Sequence, residues 1–371
     1  MVFNSMVFLW IFLPLCLISY FLIKDKYKNL LLVLLSLIFY AWGETKYIIL
    51  LLITIIINYG MALLIDKQQK KHIKKLLFII ALLFNLGILA YYKYFNFAVS
   101  NVEKIFSINV SQIKKVAMPL GISFYIFSSI SYIFDVYKKE SVAQKNIVDM
   151  ALYITFFPKL LMGPIEQYKD FEKYINAGNR KITLESFKIG ISRFTYGLSK
   201  KVLIADAVAR VADIAFNSNI NNVSTPIAWI GALCYMLQIY FDFSGYSDMA
   251  LGIAKMLGFN LMENFDLPYT SQTITEFWRR WHISLGKWFK NYLYIPLGGN
   301  RKGKIRTYIN LFIVFIATGI WHGSAWNYLA WGIYNGIFMI IERAKLKELT
   351  EKNKIKIINH IYALTVTYFG W

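Results

Sequence analysis

Apolar runs of membrane-crossing length recur along this chain. A helix that crosses ~30 Å of hydrocarbon needs about 20 mostly apolar residues. Val7–Ile23, Tyr47–Ile65 and Leu76–Tyr92 each fit that length, and Leu30–Trp42 is a shorter run. Val116–Val136, Ile147–Ile165, Ile227–Tyr240 and Ile309–Ile341 follow with more polar interruptions. Hydrophobic residues make up 57% of the chain and mean hydropathy is +0.45. Soluble domains stay near about 45–50% apolar, and a soluble fold with this excess would expose large apolar patches. The expected fold is therefore all-α: a polytopic integral membrane protein with roughly 8 to 11 membrane-embedded helices, some of them re-entrant or interfacial.

The formal net charge is +20, and its placement argues for topology over nucleic-acid binding. Lys24, Lys26 and Lys28 follow the first run. Lys67, Lys70, Lys71, Lys74 and Lys75 follow the third, and Lys138 and Lys139 the fifth. Short basic loops mark the cytoplasmic side, so all three clusters fall on one face and the N-terminus falls on the other. The same lysines suit anionic lipid headgroups. No Lys or Arg precedes Val7 and no small-residue cleavage site follows the first run, so it reads as a retained span rather than a signal peptide. Cys16 and Cys234 both lie inside apolar runs and resemble small buried hydrophobes. No disulfide framework or metal pattern is present.

The chain reads as a single domain, 1–371, with two textures. Residues 1–115 are aliphatic spans with basic loops, a scaffold facing lipid. From 116 to 345, Pro, Gly, aromatic and charged residues enter the apolar segments, as in Pro119–Gly121, Phe157–Lys159 and Met162–Pro164. Irregular backbone at membrane depth needs protein or a watery cavity around it, so 116–345 is the expected catalytic core. Residues 346–371 end in a run, Ile357–Trp371, that is short for a crossing and reads as a truncated C-terminal part.

Four histidines are candidates for chemistry. His72 lies in the basic loop Lys70–Lys75 and reads as solvated, and His360 carries no context. His322 sits in Gly319-Ile-Trp-His-Gly323, about 18 Å of helix rise beyond Ile309. Basic residues flank both ends of Ile309–Ile341, which suggests a broken hairpin with its apex near His322. The pairs Gly319/Gly323 and Gly332/Gly336 are spaced for close helix packing. An ionisable residue at such depth is a functional candidate; the plain alternative is a histidine hydrogen-bonded between helices.

His282 lies in Thr273–Lys290, where Thr273 and Glu276 fit a capping box. At 100° per residue, Phe277, Trp278, Trp281, Leu285, Trp288 and Phe289 share one arc, and Arg279, Arg280, Lys287 and Lys290 share the opposite one. One interfacial helix, aromatics toward lipid, is expected, with His282 at the rim of the aromatic arc. Asp242 and Asp248 follow about fifteen apolar residues. Intramembrane carboxylates face a cavity or a cation, so both are read as structural or cavity-lining. Histidine is the most frequent general base, and Trp321, Trp326 and Asn327 would line the cavity and supply donors to an oxyanion. No nucleophile elbow or zinc motif occurs.

Three stretches carry a family resemblance: Tyr240–Asn260, Asn264–Gly303 and Gly319–Gly336, with Phe157–Gln167 in support. Over roughly Pro119 to Gly336 the chain resembles the membrane-bound O-acyltransferase family, most closely its bacterial alginate O-acetylase-like branch. The resemblance implies a multi-helix membrane fold with a tunnel, a catalytic histidine at His322 and a second characteristic histidine at His282. It implies acetyl-CoA as a cytoplasmic donor, with no permanently bound cofactor. The acceptor would be an extracytoplasmic cell-wall or secreted polysaccharide, reached across a bacterial cytoplasmic membrane, often with a secreted or anchored partner acetyltransferase. Lys287, Lys290 and Arg301 would meet the donor's phosphates, although positive-inside topology also accounts for such cations. D-alanyl transfer toward teichoic acid by the same fold is a near alternative. A polysaccharide-export transporter or scaffold is an alternative of another class; a transporter predicts matched halves, which the sequence lacks.

Overall fold

A computed structural model describes residues 1–107, 109, 113–218, 223–346 and 356–371. Among these residues there are helices and no strand, only one isolated bridge between Phe265 and Trp281. Four helical stretches are long and apolar enough to cross a membrane: Asp25–Lys67, Lys71–Phe106, Thr225–Met256 and Lys304–His322. Phe8–Leu22 and Ile122–Tyr137 are shorter apolar helices. Asp25–Lys67 is two helices, α2 (Asp25–Glu44) and α3 (Ile48–Lys67), joined by one 3₁₀ turn. Side chains such as Trp10 and Leu22, 77% and 81% exposed, suit lipid rather than water. The all-helical, multi-pass expectation holds.

Two expected spans take other forms. Ile147–Ile165 is not one crossing: α7 (Ile147–Thr155) stops at Phe156, and a single turn, Phe157–Leu160, follows with Pro158 in its first positions. Proline lacks the N–H that would continue the ladder. Ile227–Tyr240 is only the first part of α10 (Thr225–Met256), which carries Asp242 and Asp248 within the helix.

Contacts divide the chain into two compact units, Met1–Gly190 with Ile253–Leu261, and Ile191–Gly252 with Met262–Trp371. In the first, α1 (Leu13–Leu22), α2, α3 and α4 (Lys71–Leu89) are joined by α5 (Phe95–Phe106), α6 (Ile122–Tyr137) and α7. So 116–190, expected with the core, packs with the scaffold, because α6 seats against α3 and α4. Phe3, Phe8, Phe39 and Phe157 are fully or almost fully buried together, with ring centroids 5.0–6.5 Å apart. The aliphatic spans also hide a polar link: Asn85 Nδ2 donates to Asn58 Oδ1 (2.7 Å), and Asn58 Nδ2 to Asn85 Oδ1 (3.1 Å). Such paired amides fix helix register in lipid.

The second unit holds α8 from Ile191 (helix Leu184–Ser199), α9 (Asp206–Asn217), α10 to Gly252, α11 (Ile274–Arg280), α12 (Ile283–Phe289), α13 (Lys304–His322), α14 (Trp326–Ile341) and α15 (Lys356–Gly370). The expected broken hairpin is there: α13 ends at His322 and α14 begins at Trp326. A Cβ on Gly332 would stand 2.6 Å from the Phe315 carbonyl, and one on Gly319 would overlap the Tyr328 carbonyl. The glycines let the two helices meet backbone to backbone.

Glu342, at the end of α14, fixes the start of α11. Its carboxylate accepts the backbone N–H of Ile274 (2.7 Å) and Thr275 (2.6 Å) and is 3% exposed. Free N–H groups at a helix N-terminus favour an anion. Glu342→Ala strands one buried and one part-buried donor, and the expected loss is about 1–3 kcal/mol. A drop in thermal midpoint in detergent, with Glu342→Gln retaining much of the wild-type value, checks this.

Candidate functional site

The stretch 273–290 is two short helices rather than one. Thr273 caps α11 as expected, its Oγ1 accepting the Glu276 N–H (3.0 Å). At Trp281 the backbone turns extended, and His282 takes φ +45°. Side chains with a Cβ adopt this left-handed region at a cost. The break is held by pairing with the preceding loop: Asp266 N–H donates to Arg280 O and Ile283 N–H to Asn264 O, both 3.0 Å. The single-helix wheel is therefore corrected. Phe277, Trp281, Leu285, Trp288 and Phe289 are buried in protein rather than laid on lipid, and His282 leaves the rim position for the interior, 3% exposed.

The two histidines come together around one indole. The Trp321 ring centroid lies 6.0 Å from that of His282 and 5.0 Å from that of His322. Phe243 of α10 packs edge-on against His282 at 4.7 Å. Trp331 of α14 packs against His322 at 5.0 Å and against Trp278 at 5.5 Å. Trp331 is nine residues from His322, a spacing that carries no signal by itself. Burial first, and His322 next, push the His282 imidazole well below the usual histidine range, so it is neutral at pH 7.

Asn264 sets the other side of His282. It is 1% exposed. Its Oδ1 accepts the Ser284 Oγ–H (2.8 Å) and the Ser284 N–H (3.3 Å) and lies 3.2 Å from His282 Nδ1. Because the Ser284 N–H can only donate, the atom facing it is an acceptor. His282 Nδ1 then carries the proton, and Nε2 carries the lone pair. Nε2 is buried without a hydrogen-bond partner.

The intramembrane carboxylates meet cations of α8 and the π-helical turn after it. Asp248 accepts from Arg193 Nε (2.7 Å) and Lys200 Nζ (2.6 Å), and Asp242 lies 2.9 Å from Lys201 Nζ. Arg193 also donates to Glu263 (2.9 Å). The approach depends on Gly197 and Gly245: a Cβ on Gly245 would lie 2.8 Å from the Gly197 carbonyl. A cavity of about 510 Å³ opens here, lined by Arg193, Lys200, Tyr240, Asp248, Phe265 and Asp266 among others. Sequence reasoning passed over Arg193, Lys200 and Lys201, although their spacing of seven and eight residues marks one helix face.

The remaining candidates are more dispersed. Trp326 is 63% exposed and Asn327 is exposed at the start of α14, so neither is enclosed as Trp321 is. Lys287 is half-buried on α12, Lys290 is exposed just beyond it, and Arg301 is exposed in the turn before α13.

The family model of MBOAT, the membrane-bound O-acyltransferase family, matches residues 5–356. A Pseudomonas putida protein named "probable alginate O-acetylase" is 44% identical over 376 residues, covering 100% of this chain and 76% of the relative. Its namesake from Azotobacter vinelandii is 42% identical over 375 residues, covering 100% and 74%. A peptidoglycan O-acetyltransferase of Helicobacter pylori is 36% identical over 374 residues, covering 93% and 71%. This chain belongs to the membrane-bound O-acyltransferase family and is a multi-pass membrane O-acyltransferase.

Proposed function

We propose that this protein moves an acetyl group from acetyl-CoA on the cytoplasmic side of a bacterial plasma membrane to hydroxyls of an extracytoplasmic polysaccharide. The observation that carries this is the likeness, over the whole chain, to proteins named for O-acetylation of alginate; a peptidoglycan O-acetyltransferase lies close behind. The geometry is consistent with the chemistry, because two imidazoles flank one buried indole in an aromatic enclosure. His322 takes the proton of the acceptor hydroxyl as its oxygen attacks the acetyl carbonyl. The C–S bond of the thioester breaks, a C–O bond forms, and the proton ends on the departing sulfur. His282 positions the acyl donor. Lys287, Lys290 and Arg301 meet the donor's phosphates. A secreted or anchored partner acetyltransferase completes delivery where the acceptor lies beyond the membrane surface.

The test uses membranes containing the full chain. Supplied with radiolabelled acetyl-CoA and purified surface polysaccharide, they are expected to transfer label to base-releasable ester. Transfer from a D-alanyl carrier and none from acetyl-CoA would overturn the donor assignment. Lys290→Glu with Arg301→Glu is expected to raise the apparent KM for acetyl-CoA about tenfold, as loss of roughly 1.4 kcal/mol of phosphate attraction requires, with little change in maximal rate.

A further inference from the structure

We propose that Asn264 is a positioning residue that holds His282 in one tautomer, Nδ1 protonated and Nε2 bare, so that a neutral imidazole faces the site. The proposal rests on the acetyl-transfer reading and on His282 taking part in it.

Three observations converge on Asn264. Its side chain is buried, and its Oδ1 is surrounded by donors: Ser284 N–H, Ser284 Oγ–H and His282 Nδ1–H. The residue it holds stands at φ +45° between two helices. The ring is thus aimed by a backbone break that Asn264 itself helps to close, through its carbonyl to Ile283 N–H. Finally, the nitrogen on the far side of the ring is buried and has no hydrogen-bond partner. A bare imidazole nitrogen is what a proton acceptor or a donor-positioning contact requires.

An amide suits this work where a carboxylate would not. A carboxylate at 3.2 Å from Nδ1 would favour the imidazolium and occupy Nε2 with a proton. The charged groups nearby do not supply that bias. Asp242 and Asp248 of α10 are paired with Lys201, Arg193 and Lys200. Asp266 and Glu276 lie by Arg280. Lys287 is on α12, and His322 of α13, the second group bearing on the ring, acts against its protonation.

The experiment measures acetyl transfer from acetyl-CoA to polysaccharide in membranes from pH 5 to 9. It compares wild type, Asn264→Asp, Asn264→Ala and His282→Ala at matched abundance. Asn264→Asp is expected to move the acid limb of the rate profile to higher pH by about one unit or more, since an adjacent carboxylate stabilises the protonated ring. Asn264→Ala is expected to lose about 10²- to 10⁴-fold in maximal rate, the scale of losing the partner that sets a working imidazole's tautomer. Full activity in His282→Ala would overturn the role of His282 itself. An inactive His282→Ala with an unshifted acid limb in Asn264→Asp, at wild-type thermal midpoint, would overturn the positioning role alone. A merely structural Asn264 lowers abundance or thermal midpoint and leaves the pH profile in place.

Discussion

His322→Ala is expected to lower acetyl transfer about 10²- to 10⁴-fold, the contribution of a positioned general base, with the protein still in the membrane at wild-type abundance. The fold accounts for both halves of that result. His322 is the last residue of α13, and Gly319 and Gly332 hold α13 against α14 through backbone contacts that the imidazole does not make. Removing the ring leaves those contacts intact, so the hairpin persists and only the proposed base is lost. Its loss should appear in the maximal rate rather than in the KM for donor, because the proton moves only as the C–O bond forms. His322→Gln keeps the volume and some hydrogen bonding without a usable base, and it is expected to be nearly as inactive. A loss of less than threefold in His322→Ala would remove this residue from the chemistry.

The second large effect is on stability. Asp248→Ala leaves Arg193 Nε and Lys200 Nζ, now 2.7 and 2.6 Å from the carboxylate, facing one another without their anion. Breaking a buried ion pair from one side costs about 3–5 kcal/mol. Here the low end, about 3 kcal/mol, is expected, because Arg193 and Lys200 are 36% and 31% exposed and Arg193 keeps Glu263. The measurement is the thermal midpoint of the detergent-solubilised protein, together with membrane abundance. Lys200→Met placed on Asp248→Ala removes one stranded cation and should recover part of the loss. A double variant no more stable than Asp248→Ala would show that the carboxylate does not act by balancing these cations.

Much of the fold was legible because bilayer physics writes itself into composition. Span length and the hairpin around His322 follow from local counts, and the glycine pairs announced a close crossing that Gly319 and Gly332 provide. Of the candidate site, the two histidines that the structure brings beside one indole were legible, and their surroundings less so. A helical wheel assumes continuous helix, so it could not foresee the break at His282; pairing between Asn264–Asp266 and Arg280–Ile283 imposes that break from outside the segment. Asn264, Trp331 and Lys200 reach the site through tertiary contacts with partners 9 to 48 residues away, and no local periodicity encodes these contacts. Asp242 and Asp248 were recognisable as needing cations, whereas the identity of those cations needed the crossing at Gly197 and Gly245.

The most direct test of acetyl transfer to polysaccharide is base-released acetate from purified surface polysaccharide. It is measured in a deletion host carrying the wild-type chain, His322→Ala at matched abundance, or no copy. Acetate restored by wild type and absent in the other two is the expected result. Equal acetate in all three would contradict the proposed function.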